Sequence, residues 1–314
     1  MKIVFMGTPD FAVPTLNKLY ESEHEIAAVF TQPDKPKGRG YKLAPPPVKV
    51  LALEHGTPVY QPESLKKQPE MWDVLKEIAP DVIVVAAYGK ILPKQVLDIP
   101  KYHCVNVHGS LLPKYRGAAP IQWSVLNGDD ETGITTMLMG EGLDTGDILL
   151  QRSTPIGENE TAAELFDRLA EIGADLLIET LEKLEKGEIT PVKQDEELAT
   201  YASILTKDMC MIDFNKPVKE VHKKICGLSD WPCAVTTLDG KRLKVFRSQI
   251  VKDKMPGQQA GTVVDTKQFC LCCADGVIKL TEVQAEGSKR MRSEDYLRGK
   301  PITPGTILGV ENKK

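Results

Sequence analysis

No apolar run in this chain approaches the roughly 20 residues a helix needs to cross a bilayer, so no membrane-spanning segment is expected. The N-terminal stretch Met1 to Pro9 lacks the long apolar core and small-residue cleavage site of a secretion signal, which makes the cytoplasm the expected location. The seven cysteines are an odd number, and five of them fall within residues 226–273. Their spacing does not form two separated CxxC pairs, so a zinc ribbon is not expected and no metal is called for. They read as reduced, partly buried thiols. The first turn after the N-terminal strand holds no G-x-G-x-x-G, which weighs against dinucleotide binding. Ser110 is not set in a G-x-S-x-G elbow, which weighs against a Ser-His-Asp hydrolase. Internal repeats and low-complexity tracts are missing as well.

What is present is a 314-residue chain long enough for two domains. Residues 2–6 form a short apolar run, followed by helical spacing over 11–22 with Pro14 in its first turn, then a second strand over 25–31. That βαβ opening predicts a parallel sheet. Residues 81–87 are nearly all aliphatic, as in a strand covered on both faces. Helices are expected over 48–55, 64–78 (with Ser64 as N-cap), 121–127 and 160–186. The expected fold is therefore α/β, a doubly wound, mostly parallel sheet over residues 1–187. A linker over 188–206 and a small β-barrel over 207–314 follow, the latter built of short strands with hairpin signals at Asp239-Gly240 and Asp275-Gly276.

The chemistry concentrates in the stretch Cys104 to Pro120, which begins as an alternating strand and becomes a Gly/Pro-rich loop. Alternation turns Asn106 and His108 to one face and Val105 and Val107 to the other. Polar groups at the exit of a strand are where open α/β sheets hold ligands. An amide donor and a titratable imidazole together suit a developing oxyanion and a proton transfer. The strand pattern alone fits equally well a histidine that merely satisfies a backbone group. Residues 134–139 form another strand, ending in a loop of glycines and acids in which Asp144 is placed to contact His108 and fix its tautomer. Asp144 can also be read as a turn residue bonding its own backbone.

Charge is unevenly spread. Residues 207–314 hold 20 Lys and Arg against 13 Asp and Glu, a balance of +7, while residues 1–206 hold 20 against 31, or −11, for a net −4. A basic C-terminal part on an acidic body suggests a polyanionic partner, nucleic acid first. A solvated, lysine-rich surface is the plainer alternative. Residues 32–47 put Lys35, Lys37, Arg39 and Lys42 among glycines and prolines, predicting a long exposed loop able to clasp phosphate or simply to connect. In the C-terminal part Lys241, Arg242, Lys244 and Arg247 are further candidates, divided between faces by strand alternation.

The segments Met6-Gly-Thr-Pro-Asp-Phe-Ala-Val-Pro14, Ser110-Leu-Leu-Pro-Lys-Tyr-Arg-Gly117 and Gly142-Leu-Asp-Thr-Gly146 resemble the methionyl-tRNA formyltransferase family. The basic stretch from Gln32 to Gly40, Trp231-Pro232 and Gly240-Lys-Arg-Leu-Lys244 resemble it too. The resemblance implies a formyltransferase-type domain followed by an OB-like barrel that binds tRNA. It implies 10-formyltetrahydrofolate as donor and the amino group of charged initiator methionyl-tRNA as acceptor. By the same resemblance Asn106, His108 and Asp144 match the catalytic constellation, and Ser110, Leu111, Leu112 and Pro113 match the folate-binding segment. The chain departs from the family pattern at Ser203-Ile-Leu205 and at Cys233, where glycine is common after Trp-Pro. Two other functions fit part of the sequence. One is the same donor with a small amine or water as acceptor. The other is RNA binding through the barrel without catalysis. The working unit is expected to be a monomer.

Overall fold

The computed structural model describes residues 1–37, 42–251 and 258–309. It divides into two compact units. Met1–Pro120, Thr132–Thr154 and Phe166–Ala202 make one; Ile121–Glu131, Pro155–Leu165 and Ser203–Lys314 make the other. Among the described residues no helix is long and apolar enough to cross a membrane.

The first unit is organised by a seven-stranded sheet. Its order is Ile148–Pro155, Glu131–Leu138, Cys104–His108, Val82–Ala86, Lys2–Gly7, Glu25–Phe30 and Val59–Tyr60. The last five strands lie parallel to their neighbours, and Cys104–His108 meets Glu131–Leu138 antiparallel. The chain first builds outward from Lys2–Gly7, then returns to the other side of that strand with Val82–Ala86. Reversal of direction makes a doubly wound sheet, the topology in which ligands commonly bind beyond the carboxyl ends of the central strands. Thr8 and Gln32, each just past such an end, both donate to the Tyr88 carbonyl, at 3.1 and 2.9 Å.

Alternation buries both faces of the sheet. Val4, Met6, Ala28, Phe30, Ile83, Val85 and Cys104 share one apolar cluster. On the opposite face the helix Ala162–Glu185 comes so close that a Cβ on Gly173 would sit 2.9 Å from Val107 Cγ1. Leu165, Leu169, Leu176, Leu177 and Leu181 of that helix are all buried, as their helical spacing predicts.

Three local expectations need correction. The helix expected over 64–78 is confined to Glu70–Ile78, with Pro69 at its N-cap and Ser64 in a separate turn closed by Lys67 N–H. Proline lacks an N–H, and its ring clashes with the carbonyl four residues earlier, so a helix cannot run through Pro69. Residues 32–47 are not one open loop: Lys35–Lys37 and Lys42–Ala44 pair as an antiparallel ribbon. Residues 188–206, expected as a linker, contain the 3₁₀ turn Glu196–Leu198 and the strand Tyr201–Ala202, which pairs in parallel with Arg116–Gly117.

The second unit carries a six-stranded antiparallel sheet in the order Ala234–Leu238, Lys241–Val251, Val277–Ala285, Cys270–Cys272 and Val263–Asp265, with Met291–Arg292 also on Val277–Ala285. Leu238 pairs with Lys241 across a two-residue turn in which Asp239 and Gly240 have φ of 52° and 72°. Two successive positive φ values are what a tight hairpin matched to strand twist requires. Ile307 adds only an isolated bridge, to Thr262. All seven cysteines are buried and free.

Candidate active site

His108 ends its strand on the face it shares with Asn106; the two residues are 6 % and 9 % exposed. The chain then folds back, so His108 Nε2 lies 2.7 Å from the Tyr115 carbonyl oxygen. A carbonyl can only accept, so Nε2 carries a proton and Nδ1 is the nitrogen left for chemistry. Nδ1 lies 3.8 Å from Asp144 Oδ1. One nitrogen thus satisfies a backbone group, and the other faces a carboxylate.

Asp144 reaches this place from the turn between Glu131–Leu138 and Ile148–Pro155, with its backbone in the left-handed region at φ 52°. Aspartate tolerates that region better than most residues, yet such a conformation persists only where its surroundings impose it. Here they do. Asp144 Oδ2 accepts the Gly117 N–H at 2.8 Å, and the Gln194 side-chain amide donates to the carbonyls of both Asp144 and Gly146 at 2.8 Å.

Asn106 differs from its neighbours. Among the described residues its carboxamide has no hydrogen-bond partner, although the residue is buried. Its carboxamide therefore leaves a donor and an acceptor open on the strand face it shares with His108.

The segment 110–113 is held by its backbone. Ser110 Oγ donates to the Tyr115 carbonyl at 2.9 Å and accepts the Tyr115 N–H at 3.0 Å, so this hydroxyl closes the loop and is not aligned on His108. Thr135, fully buried, accepts the Leu112 N–H and donates to the Ser110 carbonyl. Gln151 donates to the Leu112 carbonyl and to Thr135. Leu112 is buried, with Leu111 and Pro113 half-buried beside it. Thr135, Gln151, Gln194 and Arg116 all went unread in the sequence. Only Arg116 stood in a quoted motif, and its partner Gln194 lies 78 positions away.

The basic candidates fall into three groups. Lys35 is exposed and donates to Gln32, while the backbones of Lys37 and Lys42 are paired in register on the ribbon. Arg39 lies outside the described residues. Lys241, Arg242 and Lys244 are exposed beside buried Leu243 and Val245, so alternation turns the charges of Arg242 and Lys244 to solvent. Arg247 is different: Glu164 lies 2.5 Å from its guanidinium and Glu282 3.4 Å away, which raises its pKa and neutralises it locally.

A doubly wound sheet presenting Asn106, His108 and Asp144 at its strand exits, with an antiparallel β unit after it, has the build of a formyl transferase. The family model described as formyl transferase matches residues 1–181, and that of the formyl transferase C-terminal domain matches residues 204–301. The chain is 52 % identical over 309 residues to the methionyl-tRNA formyltransferase of Caldanaerobacter subterraneus subsp. tengcongensis, covering 98 % of this chain and 100 % of that protein. The counterpart from Clostridium novyi is 49 % identical, covering 98 % and 100 %. The chain belongs to the methionyl-tRNA formyltransferase family. Among solved structures, its fold is similar to the N-formyltransferase from Helicobacter canadensis, with TM-score 0.68, 21 % identity, and coverage of 91 % of this chain and 99 % of that one. HypX from Aquifex aeolicus, solved with tetrahydrofolic acid, gives TM-score 0.67 at 19 % identity and covers 98 % of this chain and 49 % of that one.

Proposed function

We propose that this chain transfers a formyl group from 10-formyltetrahydrofolate to the amino group of methionine on charged initiator tRNA, yielding the N-formylated form used to start translation. The observation that carries the reading is the open Asn106 carboxamide on the strand face of a histidine whose free nitrogen faces Asp144. Asn106, His108 and Asp144 are the catalytic residues in this reading, and the backbone-pinned segment Ser110 to Pro113 is the folate-binding edge.

When bound, the donor supplies a formyl carbon on nitrogen whose oxygen gathers negative charge as the amine attacks. Asn106 donates to that oxygen; one such donor lowers a comparable barrier by roughly 3 kcal/mol. His108 moves the proton. With Nε2 committed to the Tyr115 carbonyl, Nδ1 takes a proton from the attacking amine, and the imidazolium formed is stabilised by Asp144. The same nitrogen returns the proton to the departing nitrogen of the folate as its bond to carbon breaks. No covalent link to the protein is required.

The acceptor is held chiefly by charge. The basic stretch Lys35, Lys37, Arg39 and Lys42 meets the acceptor end in this reading, and Lys241, Arg242 and Lys244 meet the backbone. Arg247 is left out, since two carboxylates already occupy it. The reaction belongs in the cytoplasm, where charged tRNA is used, with one chain as the working unit.

The test compares formyl transfer to charged initiator tRNA and to free methionine across ionic strengths. Transfer to the tRNA is expected to dominate and to fall steeply with salt. Equal use of free methionine, or salt-independent turnover, identifies a small-acceptor enzyme instead. His108→Ala is expected to lower kcat by ~10²–10⁴-fold with tRNA affinity retained.

A further inference from the structure

Arg116 is fully buried in the first unit, the largest of its completely buried side chains, yet among the described residues its guanidinium bonds to neither His108 nor Asp144. Its guanidinium is engaged by Glu196, Gln194 and the Tyr201 side chain. Nη1 and Nη2 form a bidentate pair with Glu196 at 2.8 Å each, and Nε donates to Gln194 Oε1 at 3.0 Å. The pair with Glu196 holds the guanidinium charged, raising the arginine's pKa and lowering that of the glutamate. Its backbone is pinned too: Arg116 N–H donates to the Thr200 carbonyl at 2.8 Å.

The bond to Gln194 has a directional consequence. A carboxamide can point either end toward a partner, and only its NH₂ end can donate. Because Arg116 Nε offers a proton, Gln194 must turn its oxygen to the arginine. Its NH₂ then faces the opposite way, toward the carbonyls of Asp144 and Gly146. Those two bonds span the left-handed turn at Asp144. The reverse orientation would set a donor against Arg116 and an oxygen against two carbonyl oxygens.

We propose that Arg116 and Gln194 are positioning residues for the reaction, acting as a relay that fixes the backbone of Asp144 and thereby holds its carboxylate against His108. The relay is anchored outside the turn it serves, by Glu196 and by the pairing of Arg116–Gly117 with Tyr201–Ala202. The same strand delivers the second restraint on Asp144, the Gly117 N–H on Oδ2. Arginine is needed at this position because its fork serves Gln194 and Glu196 simultaneously, whereas a lysine ammonium is a point donor. The inference rests on the formyl-transfer reading of Asn106, His108 and Asp144.

The test is a double-mutant cycle on formyl transfer to charged tRNA, using Asp144→Asn and Gln194→Glu. Gln194→Glu keeps the shape and can ion-pair with Arg116, so it is expected to fold, but it puts a carboxylate oxygen against the two carbonyls. It should lower kcat by ~10–100-fold, as orienting partners of active-site groups typically do, with KM for tRNA unchanged and the melting temperature kept. In the Asp144→Asn background the same change should cost less than twofold further, and Gln194→Met should lose at least as much as Gln194→Glu. Arg116→Lys should fall between wild type and Gln194→Glu. Additive losses in the cycle, or wild-type kcat for Gln194→Glu, overturn the relay. Wild-type activity of Asp144→Asn alone overturns the reading of the site instead, so the two failures are told apart.

Discussion

Asn106 is the residue whose isolation says most. Its carboxamide makes no hydrogen bond among the described residues, so the fold takes no polar contact from it. Asn106→Ala is therefore expected to leave the fold as stable as before or slightly more so, while kcat falls ~10²–10³-fold, the usual cost of one oxyanion donor. Asn106→Asp should be worse than alanine, because it aims an anion where negative charge develops. Steady-state kinetics with thermal melts check both, and an aspartate variant more active than alanine removes Asn106 from this role. The shared face of Asn106 and His108 was legible from a period of two. The task of Ser110 was not, because the two bonds that use up its hydroxyl come from Tyr115 across a turn that no local pattern encodes.

At the scale of elements, the site depends on a turn with no room to spare. A Cβ added to Gly146 would lie 1.6 Å from the Leu138 carbonyl oxygen, which is backbone and cannot swing away. Gly146→Ala must therefore displace the turn that carries Asp144. The expected result is a loss of kcat comparable to that of Asp144→Asn with little change in tRNA affinity; full activity would show that the turn can shift without consequence for Asp144. The strands, the long helix and the Asp239-Gly240 hairpin were readable from periodicity and turn chemistry. Pro69 was visible too, and marks the start of the helix that the apolar spacing alone carries back to Ser64. The ribbon over Lys35–Lys37 and Lys42–Ala44 was hidden because prolines and glycines signal a loop whether or not its arms pair. The φ of 75° at Cys233 accounts for the glycine common at this position in the family pattern, and makes the cysteine the residue that departs from what the backbone favours.

For the whole molecule, charge was legible and grouping was not. The basic balance of residues 207–314 is a property of composition, whereas the membership of Ile121–Glu131 and Pro155–Leu165 in the second unit depends on long-range contacts. One such contact sets a pH limit on that unit. His222, fully buried on the helix Val218–Gly227, lies 3.0 Å from the Glu158 carbonyl through Nε2 and 2.9 Å from Ser248 Oγ through Nδ1. The neutral ring satisfies both: Nε2–H donates to the carbonyl, and Nδ1 accepts from the hydroxyl. Burial, aided by nearby Lys223, lowers its pKa below the ordinary 6.5. Below 6.5 the unfolded chain therefore binds a proton that the folded unit resists, so stability is complete above 6.5 and declines as pH falls toward the folded value. The steepest slope a single group can give is about 1.4 kcal/mol per pH unit. Melting of wild type and His222→Gln at pH 7.5 and 5.5 isolates the effect. The variant should be less stable at pH 7.5 and should lose less on acidification. If both chains lose the same stability between the two pH values, the acid sensitivity of the unit resides in other groups and His222 is only a packing residue.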